Sequence, residues 1–351
     1  LEDNLFAANS PFGLKNNHLK AKNWIFWMKL KESLINLSKK KAMALNRPQC
    51  FYDSSHTPFM ERRFWLLSIS VLLLSGCLNQ KSDFDPDRAW SHLEAQVAFG
   101  PRVPGSIAHE NAKEYFMEEF KKYCDGVTIQ PFTVLHGGKS YEMANIVCVF
   151  NPKVEKKILL AAHYDSRPYA DRDSPENSQK PIPGANDGAS GVSVLLEVAR
   201  VLSQGNPKVS VVIVLFDGED FGKTLEYYFL GSRYFAEHMD FTPEKAILID
   251  MIGDKDLNIY YETNSYECCE SLVEEVWGMA SRNGISAFIP QEKYSIMDDH
   301  IPFIEKGIHM IDIIDFDYPY WHTLQDTPDK CSKESLEAVG RVLLIFVYSQ
   351  Q

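Results

Sequence analysis

The sequence predicts an α/β layered sheet. Apolar runs such as ILLAA, VSVVIVLF and AILID have the length and composition of strands buried on both faces. Helical patterns alternate with them, and that alternation places helices on the faces of a sheet. Polar residues also gather where these runs end, which is where ligands bind in open α/β sheets.

Taken in order, residues 86–99 read as a helix. AFGPRVPGS is a turn-rich loop, and Ser106 is placed to cap a helix over residues 108–123. VTIQPFTV and MANIVCVF read as neighbouring strands. KKILLAAHYDS is a buried strand whose polar end reaches a cleft, and residues 164–185 form a Pro-, Asp- and Ser-rich loop. ANDGASGVSVLLEVARVL opens on Gly and Asp and becomes an amphipathic helix. VSVVIVLFDGED, AILIDMIG and MIDIIDFD supply three further strands, and KESLEAVGRVLLIFVYS a last helix.

The chain has 351 residues, 45% hydrophobic and 24% charged, with a formal net charge of −12. That is enough for one large domain. An acidic chain without a basic stripe is not built for nucleic acid. No repeat of fixed period is present, which excludes solenoids and propellers.

Residues 60–76 begin MERRFWLLSISVLLLSG: a short positive region, an apolar stretch, then small residues before Cys77. This is the layout of a secretory signal, and its apolar part is too short to span a bilayer. Leu74-Ser75-Gly76-Cys77 resembles the bacterial lipobox, which implies a lipid on Cys77 and an exported, membrane-anchored protein. Leu78 follows the cysteine where Asp would signal inner-membrane retention, so the expectation is the outer membrane. Residues 1–59 are read as an upstream extension outside the native chain, 77–85 as a polar tether, and 86–351 as one catalytic domain. Cys124 and Cys148 could pair in an oxidising compartment. The adjacent Cys268 and Cys269 are expected to be half-buried packing residues on a helix.

The strand ends carry the chemistry. His163 and Asp165 are two apart, so on a strand they share a side, and Asp165 is placed to take the ring's second N–H. Asp187 lies in a glycine loop that lets the backbone approach closely. Glu219 and Asp220 are adjacent and point apart, Asp250 ends the third strand, and His322 follows Trp321. Each acid alone reads as a cap or a solvated loop residue. Together, histidines and carboxylates at one sheet edge fit a hydrolytic-type zinc site with an open position.

In chain order, HYD, GANDGASG, FDGED, LIDMIG, DDHIPF and YWHT resemble the zinc aminopeptidases of the M28 type, and more closely their glutaminyl cyclase branch. The resemblance spans roughly residues 85–350. It implies a three-layer sandwich with a central mixed, mostly parallel sheet. It also implies one zinc on Asp187, Asp220 and His322, with Glu219 as general acid/base. Asp298 and Asp250 would join Glu219 in a hydrogen-bonded acid network, where carboxylates share protons and at least one pKa rises. Asp299 or its neighbour is left as a helix cap. Trp321 and Tyr318 would line the pocket for a glutamine side chain. The implied reaction converts the N-terminal glutamine of a peptide or protein to pyroglutamate with loss of ammonia.

The sequence departs from the animal cyclases in several places. Asp220 replaces their Glu, and Asp312 stands where they carry a His. Their loop Trp is missing, with Tyr227 or Tyr228 as substitutes, and Ala162 stands where a Cys flanks their strand. One competing reading is a di-zinc aminopeptidase, because His163, Asp187, Asp220, Asp250 and His322 are all present. For that second ion His163, Asp165 and Asp312 are candidate ligands or supports. Asp298 in place of Ser, with Trp321 before His322, argues against it. The other competing reading is a lipoprotein that keeps the fold without catalysis. His300 is expected to order the Asp298 loop, and Arg102 and Arg233 to tie loops to acids.

Overall fold

A computed structural model describes residues 84–350. The expected extension, signal segment, Cys77 and most of the tether lie outside these residues. The domain begins earlier than the expected residue 86. Phe84 is already buried, packed where a side chain on Gly340 would stand, and Asp85 caps the first helix through the N–H groups of Asp87 and Arg88.

The chain runs α1 (Pro86–Ala98), α2 (Ile107–Lys121), β1 (Gly126–His136), β2 (Lys139–Phe150) and β3 (Lys157–His163). Then come α3 (Ala189–Gly205), β4 (Ser210–Phe216), α4 (Leu230–His238) and β5 (Lys245–Asp250). It continues with β6 (Ile259–Glu262), α5 (Thr263–Arg282), β7 (Phe288–Tyr294), α6 (Ile301–Ile304), β8 (Met310–Ile314) and α7 (Lys333–Ser349). Ser106 caps α2 as expected, accepting from the His109 N–H.

Six strands form one sheet in the order β1-β2-β4-β3-β5-β8. The β1–β2 and β2–β4 pairs are antiparallel, while β4, β3, β5 and β8 run parallel. The expected mixed, mostly parallel sheet is therefore present. β6 and β7 form a separate two-stranded parallel pair that the sequence pattern does not announce.

Side chains alternate across the sheet with period two. Ile158, Leu160, Ile213, Leu215, Ile247, Ile249, Ile311 and Ile313 join the core with α1, α2, α3, α5 and α7. Leu159, Ala161, Val212, Val214, Leu248 and Met310 face the other way, onto Phe235 of α4 and Phe303 of α6. Both faces are covered, which is why these strands read as unbroken apolar runs. The result is the three-layer sandwich. Among the described residues no helix is long and apolar enough to cross a membrane.

Cys124 and Cys148 form a disulfide, with Cα atoms 5.8 Å apart, that ties the end of α2 to β2. Cys268, half-buried, and Cys269, buried, pack on α5 as expected, and they are also joined in a disulfide. Adjacent side chains on a helix point about 100° apart, so closing that bond takes the backbone out of helical geometry. Cys269 accordingly sits at φ −141° and ψ 37°, a kink inside α5. Arg102 and Arg233 also differ from expectation, for they tie loops through carbonyls. Arg102 donates to Tyr164, Pro183 and Gly184, and Arg233 to Leu225 and Glu226.

The Cys124–Cys148 bond spans 24 positions, a loop for which cross-linking stabilises by roughly 2–4 kcal/mol in the chain-entropy account. Cys124→Ser is expected to lower unfolding stability by about that amount in a urea titration. An unchanged midpoint would show that the α2–β2 contact holds without the bond.

Candidate active site

Four parallel strands end at one edge, and the site is built on the loops that leave them. β3 ends at His163, whose Nε2 lies 3.3 Å from Asp187 Oδ1 and 3.1 Å from Asp250 Oδ1. Asp250 closes β5 and also accepts the Met251 N–H at 2.7 Å. Asp187 sits in the loop before α3. The turn there requires glycine: Gly188 has φ +93°, and a Cβ would stand 2.7 Å from the Asp165 carbonyl and 3.1 Å from the His163 ring. The buried carboxylate of Asp326 accepts the N–H groups of Asn186 and Asp187 and fixes this loop.

Glu219 and Asp220 follow β4. Their backbone N–H groups are held by the two oxygens of Asp165, at 3.0 and 3.2 Å. This corrects the expected role of Asp165. It lies 3.6 Å from His163 Nδ1, a charge contact too long for a hydrogen bond, and its hydrogen bonds position the acid pair instead. His322 Nε2 faces Asp220 Oδ1 at 3.3 Å and Asp187 Oδ2 at 3.7 Å, while its Nδ1 is 3.0 Å from Asp171. His322 is held at φ +55°, a conformation uncommon outside glycine.

The expected metal ligands therefore converge. Asp187, Asp220 and His322 each bring one donor atom within 4.8 Å of the others, as do His163, Asp187 and Asp250. Asp187 Oδ2 and Asp220 Oδ2 are buried and take no hydrogen bond among the described residues. Two orphaned carboxylate oxygens beside an imidazole nitrogen are the donor set of a zinc site with three protein ligands.

Asp298 and Asp299 lie in the turn before α6. Asp299 does not cap that helix, which corrects the expectation. α6 is a single turn, its first amides bond to the carbonyls of Asp298 and His300, and Pro302 has no amide to offer. Asp299 is instead fully buried toward Ser232 of α4. Asp312 lies mid-strand, opposite Leu248, on the face that β8 turns toward α6. It gathers with Asp298 and His300 rather than with the His163 group. His300 Nε2 binds Glu262 at 3.1 Å, and Glu262 also caps α5. His300 thus fastens the Asp298 turn to α5, in line with its expected ordering role.

Tyr318 does not line the pocket. It is buried, and its hydroxyl donates to Asp326 at 2.7 Å, so it supports the Asp187 loop from behind. Trp321 is half-buried against the His322 ring, with centroids 4.0 Å apart, and against Phe316. The sequence reading also missed Arg167 and Asp171, which sit in a Pro-rich loop and look there like solvated charges. It missed the buried His109–Asp217 pair, 2.7 Å apart, which holds the turn after β4 to α2.

Crowding raises most of these acids. Burial, then Asp220, then Asp298 and Asp299 push Glu219 well above the usual carboxylate range. Burial and Asp250 lift Asp298 to about 6. Burial and Asp220 lift Asp187 to about 7. Asp312 is raised by burial and Asp298. Asp220 goes the other way, since His322 and Arg167 outweigh its burial. Burial lowers His322, but Asp220 and Asp171 outweigh that and raise it to about 9.

Residues 145–347 match the sequence profile of peptidase family M28. The chain belongs to that family. It is 25% identical over 286 residues to the glutaminyl-peptide cyclotransferase of Bos taurus, covering 70% of this chain and 77% of that one. Among solved structures, a glutaminyl cyclase of Tannerella forsythia has 37% identity and a TM-score of 0.73, covering 76% of this chain and 99% of that one. A Zn-dependent exopeptidase of Parabacteroides distasonis has 36% identity and a TM-score of 0.74, covering 76% and 98%. Family membership and such neighbours support zinc as the metal.

Asp298, Asp187 and His322 each hold a proton more tightly folded than unfolded. Without metal, their contribution to stability is therefore full at low pH and is lost as pH rises through about 6, 7 and 9. The thermal midpoint in chelator is expected to fall from pH 6 toward pH 9, and zinc to oppose that fall by displacing protons from Asp187 and His322. A midpoint in chelator that climbs over this range would contradict the assignment.

Proposed function

We propose that this chain is a zinc-dependent glutaminyl-peptide cyclotransferase that binds one zinc. The observation that carries the reading is the acid cluster beside the metal centre. Asp298 gathers with Asp312 and His300, burial and the charge of Asp250 raise it, and beyond burial and Asp220 its charge and that of Asp299 raise Glu219. Glu219 and Asp250 are the most exposed of these acids, at 9% each. The named cyclases among the relatives support the same reading.

Zinc on Asp187, Asp220 and His322 would supply Lewis-acid polarisation of the γ-amide carbonyl. The residues of the chain do the rest. Glu219 accepts a proton from the substrate α-amine as that nitrogen bonds to the carbonyl carbon of the γ-amide. The raised carboxyl then returns the proton to the departing amide nitrogen, the carbon–nitrogen bond breaks, and ammonia leaves. Asp298 keeps Glu219 easy to protonate. Nucleophile and electrophile belong to one residue, so the pocket mainly orients them. Trp321 offers an aromatic wall beside His322 for the glutamine side chain.

A di-zinc aminopeptidase is the second reading, favoured by the His163, Asp187 and Asp250 group. Against it stand Asp298 where such aminopeptidases carry Ser, and Trp321 directly before His322. We also propose export and lipid attachment at Cys77, which rest on residues 60–77; a Cys77→Ala chain that still incorporates labelled fatty acid would refute them.

The purified chain with zinc is to be given a glutaminyl and a leucyl peptide in parallel. Loss of ammonia from the first, with the second intact and about one zinc per chain by elemental analysis, is the expected outcome. Release of free leucine with two zincs would install the peptidase reading. Glu219→Gln should lower kcat by roughly 10²–10⁴-fold while keeping the zinc. Asp298→Asn should lower kcat and shift its pH profile with little change in KM.

A further inference from the structure

Arg167 and Asp171 have no place in the mechanism above, yet they join the two halves of the metal centre. Arg167 is 2% exposed, and a buried guanidinium must be paired. Its Nε lies 3.2 and 3.1 Å from the two oxygens of Asp171, and its Nη2 is 2.5 Å from Asp171 Oδ2. Its Nη1 donates at 3.2 Å to Asp220 Oδ1 and also to the carbonyls of Asp220 and Gly222. One planar fork thus spans two carboxylates. Asp171 in turn lies 3.0 Å from His322 Nδ1.

The same loop grips the backbone around His322. The Arg172 N–H donates to the His322 carbonyl at 3.2 Å, and Asp173 accepts the Leu324 N–H at 3.0 Å. His322 stands at φ +55°, so its ring direction is not one the backbone settles into unaided. With Nδ1–H committed to Asp171, Nε2 is left as the atom facing Asp187 and Asp220.

We infer that Arg167 and Asp171 are positioning residues: Asp171 fixes the tautomer and direction of His322, and Arg167 locks Asp171 to Asp220 so that both ligands move as one unit. This rests on the proposed zinc reading. It also answers the short side chain at position 220. An Asp reaches one methylene less far than a Glu, and Arg167 holds both its carboxylate and its carbonyl in place. Lysine would not serve, because an ammonium cannot bridge two carboxylates in a fixed plane.

The experiment measures zinc affinity of the purified full chain by competition with a chromogenic chelator, alongside turnover of a glutaminyl peptide. Asp171→Ala is expected to weaken zinc binding roughly 10–100-fold. Asp171→Asn should recover part of that loss, because its amide oxygen still accepts from His322 Nδ1. Arg167→Ala should weaken binding to a similar degree and Arg167→Lys should not rescue it. The double variant should be no weaker than the weaker single, since both act through one link. Cobalt-loaded variants at saturation should show shifted ligand-field bands, which loss of folded protein alone would not produce. Metal-free melting curves correct for any unfolded fraction, and the conservative variants serve if an alanine variant fails to fold. Affinities within about twofold of wild type for Asp171→Ala and Arg167→Ala would overturn the inference, as would equal losses for Asp171→Ala and Asp171→Asn. If the wild-type chain binds zinc but does not cyclise the peptide, the functional reading fails while the affinity comparison still decides this one.

Discussion

Too much negative charge is buried at one sheet edge, and the rest of the site is arranged around that fact. Asp187, Glu219, Asp220, Asp250, Asp298, Asp299 and Asp312 all lie within a few residues' reach of one another, each at most 9% exposed. Seven isolated buried carboxylates would be prohibitively costly. The chain meets the cost in three ways. It supplies cations in His163, His322 and Arg167. It supplies backbone donors, as when Met251 gives its N–H to Asp250. For the remainder it raises pKa values, those of Asp298, Asp312 and Glu219 among them. Among the buried oxygens that take no hydrogen bond, Asp187 Oδ2 and Asp220 Oδ2 lie where zinc is proposed.

This division separates two parts of the edge. Around Asp220 the neighbours are cationic, and the carboxylate stays ionised and ready to ligate. Around Asp298 the neighbours are acids, and the carboxyl groups are raised toward accepting protons. A metal ligand and a proton carrier make opposite demands on a carboxyl group, yet Glu219 and Asp220 are adjacent in the chain. Their separation is achieved because adjacent side chains diverge, one toward Arg167 and His322, the other toward the Asp298 turn. Asp165 holds both backbones and keeps that divergence fixed.

Much of this was legible in the sequence, for identifiable reasons. Strands buried on both faces leave unbroken apolar runs, so β3, β4, β5 and β8 could be read directly, and their polar ends marked the edge. Asp165 does face His163, as period-two reasoning expects, but its closer partners are the Glu219 and Asp220 amides, which come from a distant segment. Asp299 read as a cap because capping chemistry is local, whereas its burial against α4 is not. Tyr318 read as a pocket wall because nothing nearby in sequence reveals a partner at Asp326. Arg167 and Asp171 were invisible for the same reason. A charged pair in a loop looks solvated until the chain brings Asp220 and His322, from distant segments, against it. The disulfide within α5 was missed because adjacent cysteines fit a helix well until they bond.

The edge also constrains which reaction the site can favour. A hydrolytic centre must admit and activate water at the carbonyl. Here the group next to Glu219 is an acid cluster closed off by α4 and α6, with Asp299 and Asp312 fully buried behind Asp298. Protons can be stored and exchanged there by groups the chain itself supplies. A substrate that carries its own nucleophile needs proton transfer and orientation more than it needs water. The α-amine of an N-terminal glutamine is such a nucleophile, placed five bonds from its own γ-amide nitrogen. The buried acids and the aromatic wall at Trp321 therefore work toward the same end: one lowers the barrier to moving a proton, and the other limits the conformations from which the ring can close.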